Sequence, residues 1–461
     1  MSDILCQKRQ VLSSVWPLLV YVDDIFCLSQ GGARLPAGQQ GLTAIADPAD
    51  LLLMRGRMLG RWSLRAFLGT FGLAMAAVAA AAPAAAQPSP PRPAIRLGIL
   101  EPDGQHYRAE RALGISLVTL QVGWGLAEPE PGQFNAGYLE SVLARVEDAR
   151  SAGMSVILDP GVQYAPAWVM NLDPSSQFED QYGDRFDGPV GSGDMVPNAV
   201  SDPLVRGALA EYLRWLGARI PASSLYAVRV GGGPSGELRY PPADYEGHTD
   251  CYWAYDPDTQ RTEPVPSWRP GTGTPGRAEQ FIDAYNESLA GYGAWLSEQM
   301  YAAFPGLTQV LMLPGWGQRP GYVPQGVATL LTEGSPELNL GTDWSLDLAG
   351  SPHPDLTVAY TTWLDAPSQG TTAQLEDPAT YLASLVRGTH LRTGGENTGG
   401  GSVANLRLGL ARARSLGFSL VDWMDESQIF EPGQYEQEWP SSHPITQKVF
   451  GATVAEFMPP A

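Results

Sequence analysis

What most constrains the fold of this chain is a rhythm: short apolar runs, each ending in glycine, proline or acidic residues, alternate with stretches of helical spacing. AIRLGIL (94–100) is followed by SLVTLQVGW (116–124), SVILDPGV (155–162) and LYAVRVGGG (225–233), then by TQVLMLPGW (308–316), LTVAYTTW (356–363), HLRTGGEN (390–397) and FSLVDWMDE (418–426). Runs of this length, rich in β-branched residues, predict buried strands. Between them, YLESVLARVEDARSAG (138–153) carries apolar residues at helical spacing and stops at Gly153, a natural C-terminal cap. PLVRGALAEYLRWLGARI (203–220) opens with Asp202 as N-cap and Pro203 in the first turn. AEQFIDAYNESLAGYGAWLSEQMYAAF (278–304) and NLRLGLARARSLG (405–417) follow the same logic. Parallel strands buried on both faces and interleaved with helices close most economically into a (β/α)8 TIM barrel. A doubly wound open sheet is the alternative, but no glycine-rich phosphate loop follows the first strand.

Chemistry in such a barrel belongs at the C-terminal strand ends. Here those ends carry Trp124, Asp159 leading on to Trp168, Glu237, Trp316, Trp363, Glu396 with Asn397, and Trp423 with Asp425. The longest insertion follows strand four, from 241 to about 275; it contains HTDCYWAYDPDTQ and reads as an aromatic cover over a cleft.

The first part of the chain is of a different kind. Residues 54–86 place arginines before an alanine-rich apolar stretch and end in small residues, the order of a cleavable secretory signal. Residues 1–53 read as a leader or a mis-assigned upstream extension, and QPSPPRPA (87–94) as a stiff Pro-rich linker. The catalytic barrel is expected over 95–461, in a secreted or periplasmic protein with no stable membrane anchor once the signal is removed. Two of the three cysteines, Cys6 and Cys27, lie in the leader, so Cys251 is left without an intrachain disulfide partner.

The net charge of −20 repels phosphate backbones and argues against nucleic acid as a partner. Carboxylates and aromatic faces together suit a neutral, hydroxyl-rich ligand, that is, an oligosaccharide or polysaccharide. Glycoside cleavage needs two carboxyl groups flanking the scissile bond. Glu237 on strand four and Glu396 on strand seven face one another across the mouth of such a barrel. A purely structural role for each is an ion pair with Arg229, Arg239 or Arg392.

The residues around Glu237 carry a specific resemblance. VGGGPSGELRYP (230–241) is similar to the strand-four signature of glycoside hydrolase family 14, the β-amylases, with Gly231, Gly233, Pro234, Gly236, Glu237, Leu238, Arg239, Tyr240 and Pro241 matching. GGEN (394–397) resembles that family's strand-seven motif, and CYWAYD (251–256) a Cys-Tyr-Asp element of its strand-four loop. The resemblance implies Glu237 as general acid and Glu396 as general base. VGWGLAEPEPGQFNAGYLESVL (122–143) and VILDPGVQYAPAWV (156–169) look more like family 42 and its retaining clan. The β-amylase strand-three loop is absent, as is the lysine that family uses beyond strand five. Gly236 stands where the retaining clan has an asparagine, which favours inversion.

The expected site is therefore Glu237 and Glu396 as catalytic groups, with Trp124, Asp159, Trp168, Arg239, Tyr240, Trp316, Trp363, Asn397, Trp423 and Asp425 as substrate contacts. No cofactor and no metal is expected, because His106, His248, His353, His390 and His443 lack ligand spacing. Two other readings stand beside this one: a retaining, β-galactosidase-like enzyme with Glu396 as nucleophile, and an inactive secreted carbohydrate-binding barrel.

Overall fold

The computed structural model describes residues 94–100, 102–188, 195–399, 401–438 and 443–458. The leader, the signal and all of the linker except Ala94 lie outside the described residues. Eight strands form a closed parallel barrel in chain order: β1 (Arg96–Ile99), β2 (Leu117–Gln121), β3 (Ser155–Asp159), β4 (Ala227–Val230), β5 (Thr308–Leu313), β6 (Thr357–Thr361), β7 (Arg392–Glu396) and β8 (Leu420–Trp423). Each falls inside one of the eight apolar runs. β8 closes on β1 with Asp422 beside Gly98.

The alternation along each strand divides the side chains into two sets. Leu117, Ile157, Ala227, Val310, Met312, Val358, Tyr360 and Leu420 point inward and fill the barrel. Leu97, Ile99, Val118, Leu120, Val156, Leu158, Val228, Val230, Leu311 and Leu313 point outward, under the helices. Burial on both faces explains the near-continuous apolar runs. The N-terminal end is closed by polar pairs: Arg96 donates to Ser155 Oγ (2.8 Å) and Arg392 to Thr308 Oγ1 (3.0 Å).

Helix boundaries follow local chemistry. The helix Pro203–Gly217 is capped by Asp202, whose side chain accepts from the amides of Leu204 and Val205. The helix Ala136–Ser151 begins ahead of the expected start because Asn135 caps it, accepting from Tyr138 N. The long helix Pro275–Ala303 likewise starts early, with proline in its first turn. The helix Val403–Leu416 ends on Gly417 in the left-handed conformation.

Two long excursions rise from the C-terminal ends of β3 and β4. In the one after β4, Tyr252 and Trp253 are buried rather than displayed as a cover. Tyr252 packs edge-on to Phe281 and Tyr285 of the long helix, and Trp253 donates its Nε1 to Pro242 O (2.9 Å). The insertion thus packs into the same core as the long helix, with Cys251 buried there as a free thiol. Among the described residues, no helix is long and apolar enough to cross a membrane.

Candidate active site

Glu237 is held at the rim by the loop that leaves β4. The loop doubles back on itself: Gly232 N donates to Gly236 O (3.2 Å), Gly233 N to Glu237 O (2.7 Å), and Leu238 N to Met312 O at the end of β5 (2.9 Å). Gly236 has φ +74, and a Cβ there would also press on the Gln163 amide at 3.0 Å, which accounts for glycine directly before the acid. Oε2 of Glu237 accepts from Arg239 Nε at 2.8 Å, with the two side chains 14% and 17% exposed. The carboxyl group therefore meets solvent while its direction is fixed.

Glu396 is the last residue of β7 and sits deeper. Its Oε2 accepts from Arg229 Nη2 (3.0 Å), which projects inward from β4, and from Tyr360 OH (2.9 Å) of β6. Tyr360 OH lies equally near Asp422 Oδ2 on β8, at 2.8 Å. One phenolic proton cannot serve two carboxylates, so one of the two acids must carry a proton of its own. Arg229 favours charge on Glu396. Asp422 is buried and its Oδ1 has no hydrogen-bond donor among the described residues, which makes it the protonated partner. Burial pushes the Asp422 carboxyl up, opposed by Arg229 and the Tyr360 bond. Burial likewise raises Glu396 to about 7; Arg229 and Tyr360 work against the shift, and the charge of Glu237, with that of Asp422 whenever it ionises, adds to it. Glu237 and Glu396 thus feel one another electrostatically across the mouth, with β5 and β6 between their strands.

Room for Asp422 comes from β1. A Cβ on Gly98 would stand 1.8 Å from Asp422 Oδ1, so only glycine fits opposite this acid. On the other side of Arg229, Asp159 accepts from Gly161 N (2.8 Å), Gln121 Nε2 (3.2 Å) and Gln163 Nε2 (3.3 Å). The upper interior of the barrel is thus a polar layer of Asp159, Arg229, Tyr360, Glu396 and Asp422 above the apolar one. Arg392, the other arginine considered for Glu396, is at the opposite end of β7.

The expected substrate contacts divide sharply. Trp168 and Trp363 are partly exposed at the strand-end face, and Arg239 is tied to Glu237. Trp316 is 7% exposed; its Nε1 donates to Gln374 O (3.4 Å) and Arg319 lies over its ring. Five of the expected contacts are buried instead. Trp124 is wholly buried, stacked on Tyr212 with its Nε1 on Glu128, because the helix Trp124–Ala127 turns it back beneath the rim. Trp423 is 2% exposed, since its position on β8 faces outward to Phe450, and it donates to Gln428. Tyr240 is stacked on Tyr285 at 3.9 Å. Asn397 spends both ends of its amide on the backbone of Met424 (2.8 and 2.6 Å), tying the end of β7 to that of β8. Asp425 is also buried and accepts from Ser427 N (2.8 Å), a local turn role.

Tyr360 and Asp422 were not among the expected site residues, and Arg229 was considered only as an ion-pair partner. The signal was present in strand parity: Arg229, Tyr360, Glu396 and Asp422 all occupy inward positions at the C-terminal ends of their strands. A cavity of about 420 Å³ bordered by Arg387, Arg392, Thr393, Gly417 and Ser419 lies instead at the N-terminal ends of β7 and β8, away from these carboxylates.

Comparison with known proteins agrees with this architecture. Residues 103–207 match a family model described as "Beta-galactosidase", that of glycoside hydrolase family 42. A β-galactosidase from Xanthomonas manihotis is 41% identical over 68 residues, 15% of this chain and 11% of that protein. The chloroplastic β-amylase 1 of Arabidopsis thaliana is 28% identical over 154 residues, 29% of this chain and 26% of that protein. The matched segments therefore span only about a tenth to a quarter of these relatives. Among solved structures, the catalytic domain of a β-amylase from Paenibacillus polymyxa superposes with a TM-score of 0.58 at 15% identity, covering 80% of this chain and 100% of that one. The shared feature at this identity is the fold.

Proposed function

We propose that this chain is a glycoside hydrolase acting on an oligosaccharide or polysaccharide, with Glu237 as general acid and Glu396 as general base in an inverting reaction. The observation that carries the proposal is the pair itself: two carboxyl groups from opposite sides of one barrel mouth, each oriented by an arginine and each sensing the other's charge. Glu396 near 7 is poised to take a proton from water at neutral pH, where a base combines sufficient ionised fraction with sufficient driving force. Arg239 fixes the direction of the Glu237 carboxyl group toward the mouth, where the sugar would sit. Trp168 and Trp363 are the aromatic faces available to a sugar ring. The partial matches to a β-amylase and to β-galactosidases support the reaction class, and the charge of −20 suits a neutral substrate.

A retaining reaction is the second reading, favoured by one feature. Both bonds to Glu396 fall on Oε2, and Oε1 takes part in neither, the arrangement a fixed nucleophile needs. A product screen on α-glucans and β-galactosides identifies the sugar, and the anomer first released, followed by proton NMR, separates the two mechanisms. Retention together with covalent trapping of Glu396 by a fluoro-sugar replaces the inverting assignment. Absence of hydrolysis across the panel, with sugar binding intact, replaces both by a binding role. We also propose export, on the strength of the basic and then apolar order of 54–86; N-terminal sequencing of extracellular material should begin close to Gln87.

A further inference from the structure

Away from the two glutamates, the loop after β1 and the loop after β8 bring a second group of ionisable side chains together. Asp103, His106 and Glu426 each present a donor atom, and these atoms lie within 4.8 Å of one another. His106 Nδ1 is 3.4 Å from Asp103 Oδ1 and 3.2 Å from Glu426 Oε1. The imidazole is not oriented by the acids alone: Phe430 stacks on it at 4.3 Å and turns Nδ1 toward them.

A fourth residue gives this group its direction. Glu110 lies in the helix Tyr107–Ala112, one turn beyond His106, and is wholly buried. Its carboxyl group is hydrogen-bonded to that of Glu426, and no other donor reaches it among the described residues. Two buried carboxyl groups this close are held together by a proton between them or by a cation beside them.

We infer that Asp103, His106 and Glu426, with Glu110 behind Glu426, form a binding site for a divalent transition-metal ion, with zinc as its first choice. Imidazole nitrogen with carboxylate oxygens suits zinc better than calcium or magnesium, which take all-oxygen sets. A tetrahedron with metal–ligand bonds of about 2.0–2.1 Å has edges of about 3.3 Å, the separations already found between His106 Nδ1 and the two carboxylate oxygens. Stacking on Phe430 and the bond from Asp103 N to Glu426 Oε2 (2.5 Å) orient the ligands beforehand. The ion joins the β1 loop to the β8 loop at the mouth of the barrel and uses none of the residues assigned to the sugar. Spacing alone hid the site, because Glu426 comes from a segment far in sequence from Asp103 and His106.

The test is a zinc chloride titration of the chelator-treated, desalted protein by calorimetry, with metal content measured by mass spectrometry and melting temperature measured beside it. The site predicts about one zinc per chain and a melting temperature raised by ~4 °C at saturation. His106→Ala, at a partly exposed position whose loss leaves the fold intact, should weaken binding at least ~10-fold and remove the shift. Glu426→Gln should do the same where it folds. No stoichiometric zinc together with an unmoved melting temperature overturns the site and leaves Glu110 and Glu426 sharing a proton. Equal binding by wild type and His106→Ala also overturns it, assigning the zinc to surface histidines.

Discussion

Arg229 reaches from β4 to Glu396 on β7, Nη2 to Oε2 at 3.0 Å, inside a barrel whose layer below is apolar. The ion pair holds Glu396 down against the upward push of burial. Arg229→Met should therefore move the acidic limb of the pH–rate profile upward, because Glu396 then ionises later. Stability should fall by about 3–5 kcal/mol at neutral pH, the cost of stranding a buried carboxylate. A pH–rate profile with an unmoved acidic limb contradicts this role for Arg229.

The proton count around Tyr360 distinguishes its two acids. If Asp422 is neutral and donates to Tyr360, Asp422→Asn supplies an amide N–H in its place and should keep kcat within about tenfold, the scale of one retained hydrogen bond. Tyr360→Phe removes a bond that favours ionised Glu396 and should lower kcat by about 10- to 100-fold while moving the acidic limb upward. A loss for Asp422→Asn as large as that for Glu396→Gln would mean that Asp422 works as an ionised group.

Much of this was legible in the sequence, though unevenly. The eight strands stood out because a strand buried on both faces leaves a continuous apolar run, and the caps at Asp202 and Gly417 stood out because their chemistry is local. The placing of Glu237 and Glu396 at one end of the barrel was legible from their positions at strand ends. The tryptophans were not, since a strand-end position does not say which way an indole turns: parity sends Trp423 outward under a helix, and a short helix folds Trp124 beneath the rim. Asp422 became visible only when the closure of β8 on β1 set it over Gly98, a relation between the two ends of the barrel.

Trp124 and Trp168 separate packing from recognition. Trp124→Ala should destabilise the fold by about 3–5 kcal/mol through loss of a fully buried ring. Trp168→Ala and Trp363→Ala should cost little stability and raise KM by roughly tenfold, about 1–2 kcal/mol of lost stacking. Thermal melts and saturation kinetics on the same variants read both. An unchanged KM for both exposed tryptophans would remove them from the binding surface.

Several buried or half-buried glutamates make stability depend on pH in a definite direction. Burial raises Glu263, Glu337 and Glu396 from 4.5 to about 7. A carboxyl group whose folded pKa lies above its unfolded value stabilises fully below the unfolded value, and that contribution is lost as pH rises through the folded one. Their share of stability should thus decline between about pH 4.5 and 7. Glu337→Gln, away from the candidate site, should flatten that part of a melting-temperature profile; a slope identical to wild type contradicts it.

Turnover of Glu237→Gln and Glu396→Gln beside wild type, on the substrate found in the panel, tests the central claim most directly. An amide neither donates the acid proton nor accepts one from water. Each variant should fold with a near-native melting temperature and lose about 10²–10⁴-fold in kcat. If either folded variant keeps kcat within about threefold of wild type, far short of that range, Glu237 and Glu396 are not the working pair.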